Sequence, residues 1–252
     1  MWNGALNFYQ DVDPDGEFSS LKSIAAYWAL LDVKLVPKGR LSPFIQHLRD
    51  TWSFQTEFVL PTLSADSEAY NARLGNGWRG AVWPHLTYMV QRGLNVAEHF
   101  PLAHKLALKH VDMVSRVHAS TGKFWENYLS EDLGPAEPMT EDMIGLTPAA
   151  IIPMVLEFVL GLSVDWPLRQ IVWRRCLPSE QAYGVRNFPL GDEGTIDLLG
   201  DQDAIHVRAD APVTLIIYDD KEIFQTAVPA GELRWPAPPV SCRVLTSSPR
   251  PA

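Results

Sequence analysis

The stretch Thr121-Gly122-Lys123-Phe124-Trp125-Glu126-Asn127-Tyr128 sets one carboxylate among three aromatic rings. Sugar chemistry uses that combination. Aromatic rings stack on the apolar faces of a pyranose, and a partly desolvated carboxylate takes a proton from an attacking water. If the segment is extended its side chains alternate, so Phe124, Glu126 and Tyr128 share one face while Trp125 and Asn127 take the other. A surface loop whose aromatic rings plug a core edge would carry the same residues, so the stretch alone leaves both readings open.

The elements around it come from periodicity. Apolar residues recur at helical spacing from Phe100 to His118, and Gly122 supplies the stop, which puts Glu126 just outside a helix end. His104, His110 and His118 on that helix make no i, i+4 metal pair and are read as surface or boundary histidines. Upstream, Gly75-Asn76-Gly77-Trp78-Arg79-Gly80-Ala81-Val82-Trp83-Pro84 leads into a helix over Leu86–Leu94. Its glycines match a dinucleotide fingerprint formally, but the context rejects it. The preceding Ser64–Leu74 is polar rather than a buried strand, and Trp78 is too bulky for a backbone that must approach pyrophosphate. Trp52–Leu74 is a long mixed segment of the kind that builds sites.

Nearer the amino end, Asp11-Val12-Asp13-Pro14-Asp15-Gly16 imitates a calcium loop, but Lys22 stands where the twelfth-position carboxylate belongs, so it reads as a turn. Helices are expected over Leu21–Val33, capped by Ser19 or Ser20, over Ser42–Arg49, and over Pro148–Leu162. Beyond Ser163 short alternating runs, Thr195–Leu199, Ile205–Arg208, Val213–Tyr218 and Ile223–Val228, predict antiparallel strands in a small sheet. Trp235–Pro239 and Ser247–Ala252 are proline-rich and read as loosely held.

Composition narrows the class. With 252 residues, 46% of them hydrophobic, the chain can bury a sizeable core. A net charge of -9 without lysine or arginine runs argues against nucleic acid or anionic membrane as a partner. Cys176 and Cys242 are isolated and outside any metal-ligand spacing, which suits a reducing compartment. Nothing at the amino end reads as a signal peptide and no apolar run is long enough to span a bilayer, so a cytoplasmic protein is expected. No cofactor or metal is expected. Nine tryptophans, several near loops, favour a cleft facing carbohydrate.

Together the Gly77-Trp78-Arg79-Gly80-Ala81-Val82-Trp83-Pro84 block, Tyr88, the Trp125-Glu126-Asn127-Tyr128 block and Glu157–Leu162 resemble the carboxy-terminal half of glycoside hydrolase family 63, in its mannosylglycerate and glucosylglycerate hydrolase-like branch. The resemblance departs at Thr87, where the family usually has asparagine, and over Met143–Pro148, which lacks a frequent tryptophan. It implies a mainly α fold, half of an (α/α)6 barrel built from about six helices, followed by the small antiparallel β-sheet. The expected domains are residues 1–165 as partial catalytic domain, 166–246 as β appendage and 247–252 as disordered tail.

The same resemblance implies an inverting exo-glycosidase acting on a small α-glucoside or α-mannoside, with Glu126 as the base that activates water. In inverting enzymes the two carboxyl groups stand about 6.5–9.5 Å apart. Trp78, Arg79, Trp83, Tyr88, Trp125 and Tyr128 are implied as substrate-binding positions, and the general acid as lying upstream of Met1, which makes this chain inactive alone. A non-catalytic carbohydrate-binding pseudoenzyme and a trehalase-like or glucoamylase-like toroid hydrolase are the alternatives.

Overall fold

The computed structural model describes residues 1–32, 34–74, 78–137, 145–177, 180–219, 222–236 and 243–244. The chain divides into two compact units, Met1–Met154 and Val155–Ala252. Among the described residues there are four α-helices and eleven strands in three sheets. The fold is therefore α+β, and the expected mainly α half-ring of helices is corrected.

In the first unit, β1 (Trp2–Asn3) and β2 (Phe8–Tyr9) form a short hairpin, followed by α1 (Lys38–Gln46), α2 (Pro84–Val96), α3 (Phe100–Thr121) and α4 (Leu146–Pro153). Pro84 opens α2 at a position where the missing N–H costs nothing and the fixed φ fits. Leu86, Val90 and Leu94 bury one stripe of it. On α3, Leu102, Leu106, Met113, Val114 and Val117 do the same, and the helix stops at Gly122 (φ 71), whose N–H bonds the His118 carbonyl at 2.7 Å. The histidines of α3 divide: His104 and His118 lie at the boundary, but His110 is fully buried, which corrects its surface reading.

Two expected helices differ. Over Leu21–Val33 only a 3-10 helix forms, Ile24–Leu31, capped by Ser23 Oγ instead of Ser19 or Ser20. The backbone of residues 22–24 is engaged elsewhere: Ser64 N–H bonds Lys22 O at 3.0 Å and Ile24 N–H bonds Thr62 O at 3.0 Å. Burial at Ile24, Tyr27 and Leu30 follows the three-residue repeat of a 3-10 helix. The helix expected over Pro148–Leu162 stops at Pro153, which lacks the N–H needed to continue it, and passes through a π-helical turn, Met154–Val159. The chain then enters β3 (Leu162–Asp165). At the start, the Asp11–Gly16 turn is built on Asp13, whose Oδ1 accepts from the backbone of Asp15 and Glu17 at 3.0 and 2.9 Å.

The second unit holds β3, β4 (Gln170–Arg175), β5 (Tyr183–Pro189), β6 (Thr195–Gly200), β7 (Ala204–Ala209), β8 (Val213–Asp219), β9 (Glu222–Val228), β10 (Gly231–Pro236) and β11 (Arg243–Val244). They make two sheets, ordered β10-β7-β6-β5 and β11-β9-β8-β4-β3, where the sequence reading expected one. The β4–β8 pair is parallel, because β5 to β7 intervene as a crossover into the other sheet. Alternating Ile196 and Leu198 from one sheet and Leu215 and Ile217 from the other enter a common apolar core with Trp173. Trp235 and Pro236, read as loosely held, pair in β10 with Ile205 and Ala204. The tail at Ser247–Ala252 lies outside the described residues.

Candidate functional site

The Glu126 segment is irregular and pinned on both sides. Thr121, in the last turn of α3, donates to Val117 O at 2.8 Å and accepts from Trp125 Nε1 at 3.1 Å. The Trp125 backbone N–H bonds Tyr128 Oη at 3.1 Å, and its carbonyl accepts from Thr147 Oγ1. Tyr128 in turn exchanges both backbone hydrogen bonds with Val82, at 2.8 and 2.9 Å. Burial pushes the Tyr128 phenol up, partly offset by its hydrogen bonds to Trp125 and Thr147.

The expected alternation does not hold. Trp125 and Tyr128 are both buried in one cluster with Val82, Met113, Val114 and Val117, and Phe124 stacks on His118 with ring centroids 4.5 Å apart. A turn closed by the Tyr128 hydroxyl, not an extended strand, sends both rings inward. Glu126 is left half-buried between two anchored neighbours. Trp125 and Tyr128 therefore hold the segment that presents the carboxylate.

The facing segment is Trp78–Trp83. Trp78 lies in the left-handed region at φ 54, where a bulky side chain is strained. The residue is 47% exposed. Three bonds from the long loop before it hold this stretch in place: Asn71 N–H to Arg79 O at 2.6 Å, Gly80 N–H to Thr62 Oγ1 at 3.1 Å, and Thr62 N–H to Ala81 O at 3.1 Å. Gly80 has φ 146, and a Cβ there would stand 2.8 Å from the Tyr70 ring and 2.7 Å from Asn71 O, so the position admits only glycine. Tyr70 also reaches across to the far side of the Glu126 segment, with Oη 2.8 Å from Ser130 Oγ and 3.0 Å from Glu131 Oε1. Gly75 and Gly77 lie outside the described residues.

The Val82–Tyr128 bridge joins the two segments, and Trp83 and Asn127 each stand one residue from it. Trp83 is half-buried and meets the Trp78 ring at 6.0 Å and 61°. Tyr88, one turn into α2, is half-buried and accepts from Arg92 Nη1 at 3.2 Å. Arg79 is exposed. The bridge thus joins the segment that carries Glu126 to the one that carries Trp78 and Trp83.

A residue that the periodicity reading passed over stands here too. His85 meets the Trp83 ring edge-on at 5.7 Å. Burial lowers its pKa, and the charge of Glu126 acts on it in the opposite direction. Its signal in the sequence was its place directly after Trp83-Pro84, in the first turn of the helix that the tryptophan block leads into.

Among the described residues no group of three or more His, Cys, Asp or Glu side chains is placed to hold a metal ion. No helix among them is long and apolar enough to cross a membrane.

Residues 1–136, which contain both site segments, match the family model described as mannosylglycerate hydrolase MGH1-like glycoside hydrolase domain. An uncharacterized protein of Borreliella burgdorferi is 24% identical over 201 residues, covering 75% of this chain and 42% of that protein. The glucose complex of the family 63 mannosylglycerate hydrolase of Thermus thermophilus aligns with TM-score 0.50 and 23% identity, over 61% of this chain and 34% of that one. Neutral trehalase of Saccharomyces cerevisiae aligns with TM-score 0.50 and 19% identity, over 62% of this chain and 27% of that one. The chain spans less than half the length of each of these proteins.

Proposed function

Because the chain belongs to the mannosylglycerate hydrolase MGH1-like glycoside hydrolase family, we propose that its first unit carries the base side of an inverting exo-glycosidase site, with Glu126 as the base. The observation that supports this most is the bridge between Val82 and Tyr128, which joins the segment carrying the half-buried Glu126 to the segment carrying two adjoining tryptophan rings.

In the proposed reaction Glu126 takes a proton from a water molecule as that water attacks the anomeric carbon. The glycosidic bond breaks on the opposite face, and its oxygen leaves with a proton from a second carboxylic acid. Trp78 and Trp83 stack on the sugar ring. Arg79 and Tyr88 shape the rim of the same subsite. Trp125 and Tyr128 act through position, as the anchors on either side of the base.

The second acid is proposed to come from residues outside this chain, which covers about a third of the Thermus thermophilus hydrolase. The substrate class is a small α-glucoside or α-mannoside. That protein in complex with glucose is the support for a sugar of this size.

The deciding experiment is hydrolysis of a panel of small α-glucosides and α-mannosides, including glucosylglycerate, mannosylglycerate and trehalose, by a longer form that carries the acid and by its Glu126→Gln variant. The expected result is a loss of about 1,000-fold or more in kcat with sugar binding retained. A variant that keeps most of its turnover would remove Glu126 from the mechanism. Sugar binding without hydrolysis of any panel member would favour a carbohydrate-binding protein instead.

A further inference from the structure

The hairpin turn between β1 and β2 and the carboxy end of α1 border a surface cavity of about 250 Å³, lined by Leu6, Asn7, Pro43, Gln46, His47 and Asp50. None of these residues belongs to the Glu126 or the Trp78–Trp83 segment. His47 Nε2 lies 3.0 Å from the Leu6 carbonyl and its Nδ1 3.4 Å from Ser53 Oγ, while Phe8 meets the ring edge-on at 5.2 Å. Behind it Ser53 Oγ is 2.8 Å from Ser64 Oγ, which donates to Asp66, the partner of Lys22. Both ring nitrogens are thus engaged by the protein, and the imidazole serves the cavity as a fixed wall. On the other side Asn3 Oδ1 accepts from the Ala5 and Leu6 backbone at 3.0 and 3.3 Å, and Asn7 is held in the left-handed region at φ 52. Backbone of that kind in a residue other than glycine gathers at ligand clamps.

We propose that this cavity is a second carbohydrate site that binds one pyranose ring, with the Asn7 and Gln46 amides and the Asp50 carboxylate on its hydroxyls and Leu6 and Pro43 against its C–H face. The polar groups are open to a ligand. Asn7 and Gln46 are exposed and their side chains make no hydrogen bond among the described residues, while Asp50 engages only Oδ1, on the Trp52 N–H at 3.0 Å. An amide both donates and accepts and a carboxylate accepts at two oxygens, which matches neighbouring hydroxyls that do both. No lysine or arginine lines the cavity, so an anion has no counter-charge there. The volume is below the roughly 300 Å³ at which pockets begin to take drug-sized ligands, which suits one ring and excludes an oligosaccharide. Trp52, two residues beyond Asp50, is 78% exposed, an indole of the kind that stacks on a pyranose face. The site is independent of the reading of Glu126.

The test titrates D-glucose and D-mannose into this chain and follows by NMR the side-chain amides of Asn7 and Gln46 separately from the indoles of Trp78 and Trp83. With at least one of the sugars the two amides are expected to move along one saturable isotherm, with a Kd of about 1–10 mM. Asp50→Asn, which keeps the acceptor for the Trp52 N–H and turns the other oxygen into a donor, should weaken that isotherm about fivefold or more, and Gln46→Ala by a similar factor. Amide resonances that stay still with both sugars, or drift without saturating, overturn the proposal on the parent chain without needing any variant to fold. So do variants that both bind like the parent, and so does tetramethylammonium moving the amides at lower concentration than either sugar, which would make the cavity a cation site. The Trp78 and Trp83 indoles report the Glu126 site on their own isotherm, so each site stands or falls without the other.

Discussion

The two units spend their buried positions differently. Among the described residues the fully buried side chains of the second unit are apolar, with Trp173, Ile196, Leu198, Leu215 and Ile217 closing two sheets on each other. Among the described residues the buried polar side chains all lie in the first unit, Gln91, His110 and Asn127 among them, and these three carry polar atoms that find no partner. Unpaired buried groups are a stability cost that an apolar core avoids. The contrast separates a region shaped for cohesion from one that keeps polar capacity in reserve, and it is in the second kind of region that Glu126 stands.

That contrast can be broken by mutation. After the loss of turnover expected for Glu126→Gln, the largest effect belongs to the second unit. Trp173→Ala should destabilise it by about 3–5 kcal/mol, because a fully buried indole leaves a large cavity, and the urea midpoint should fall while sugar binding by the folded fraction is unchanged. A parallel loss of sugar affinity would show that the division of roles is false.

His110 gives the next effect, through pH. Burial holds its pKa at about 3 in the folded chain, against about 6.5 when unfolded. The unfolded chain therefore takes up the proton first. Stability is fully present above about pH 6.5 and is lost as pH falls from there towards 3, by about 2 kcal/mol between pH 7.5 and 5. Urea titrations at those two pH values should show the loss, and His110→Leu should flatten it. An unchanged pH response in that variant would place the titrating group elsewhere.

The smallest effect expected is at Tyr128→Phe, which leaves the Trp125 N–H without its acceptor at a cost of about 1 kcal/mol. In a hydrolytically active form it should also lower kcat more than it raises KM, since the hydroxyl steadies the segment that carries the base. Equal stability and equal kcat would mean that the turn does not depend on that hydrogen bond.

Much of this was legible in the sequence because it is local. The stripe of α3 and its stop at Gly122 follow from helical period and a glycine, and β6 to β9 follow from alternation between turn residues. The tryptophan and glutamate blocks could be singled out by residue type. What the sequence concealed was non-local. The Val82–Tyr128 bridge joins two irregular segments on either side of a helical hairpin, and no periodicity announces it. The turn that buries Trp125 and Tyr128 together depends on one side-chain to backbone bond, so an extended reading put them on opposite faces. The 3-10 segment was lost as an α-helix for the same reason, because Thr62 and Ser64 claim the backbone that would have begun it. The parallel pairing of β4 with β8 requires knowing that three strands leave for another sheet.

The backbone pair at Val82 and Tyr128 has a consequence for how this architecture can be rebuilt. Everything between the two residues, α2, the turn at Ala97–His99 and α3, leaves the bridge and returns to it. The hairpin behaves as a handle whose two roots are clasped together. The turn at its far end can be lengthened, or opened to make new chain termini, while Trp83 and Glu126 stay in register, because their alignment is carried by the clasp and not by the continuity of the chain between them. The site is in this sense a property of a junction, and variation along the handle is free to proceed without passing through it.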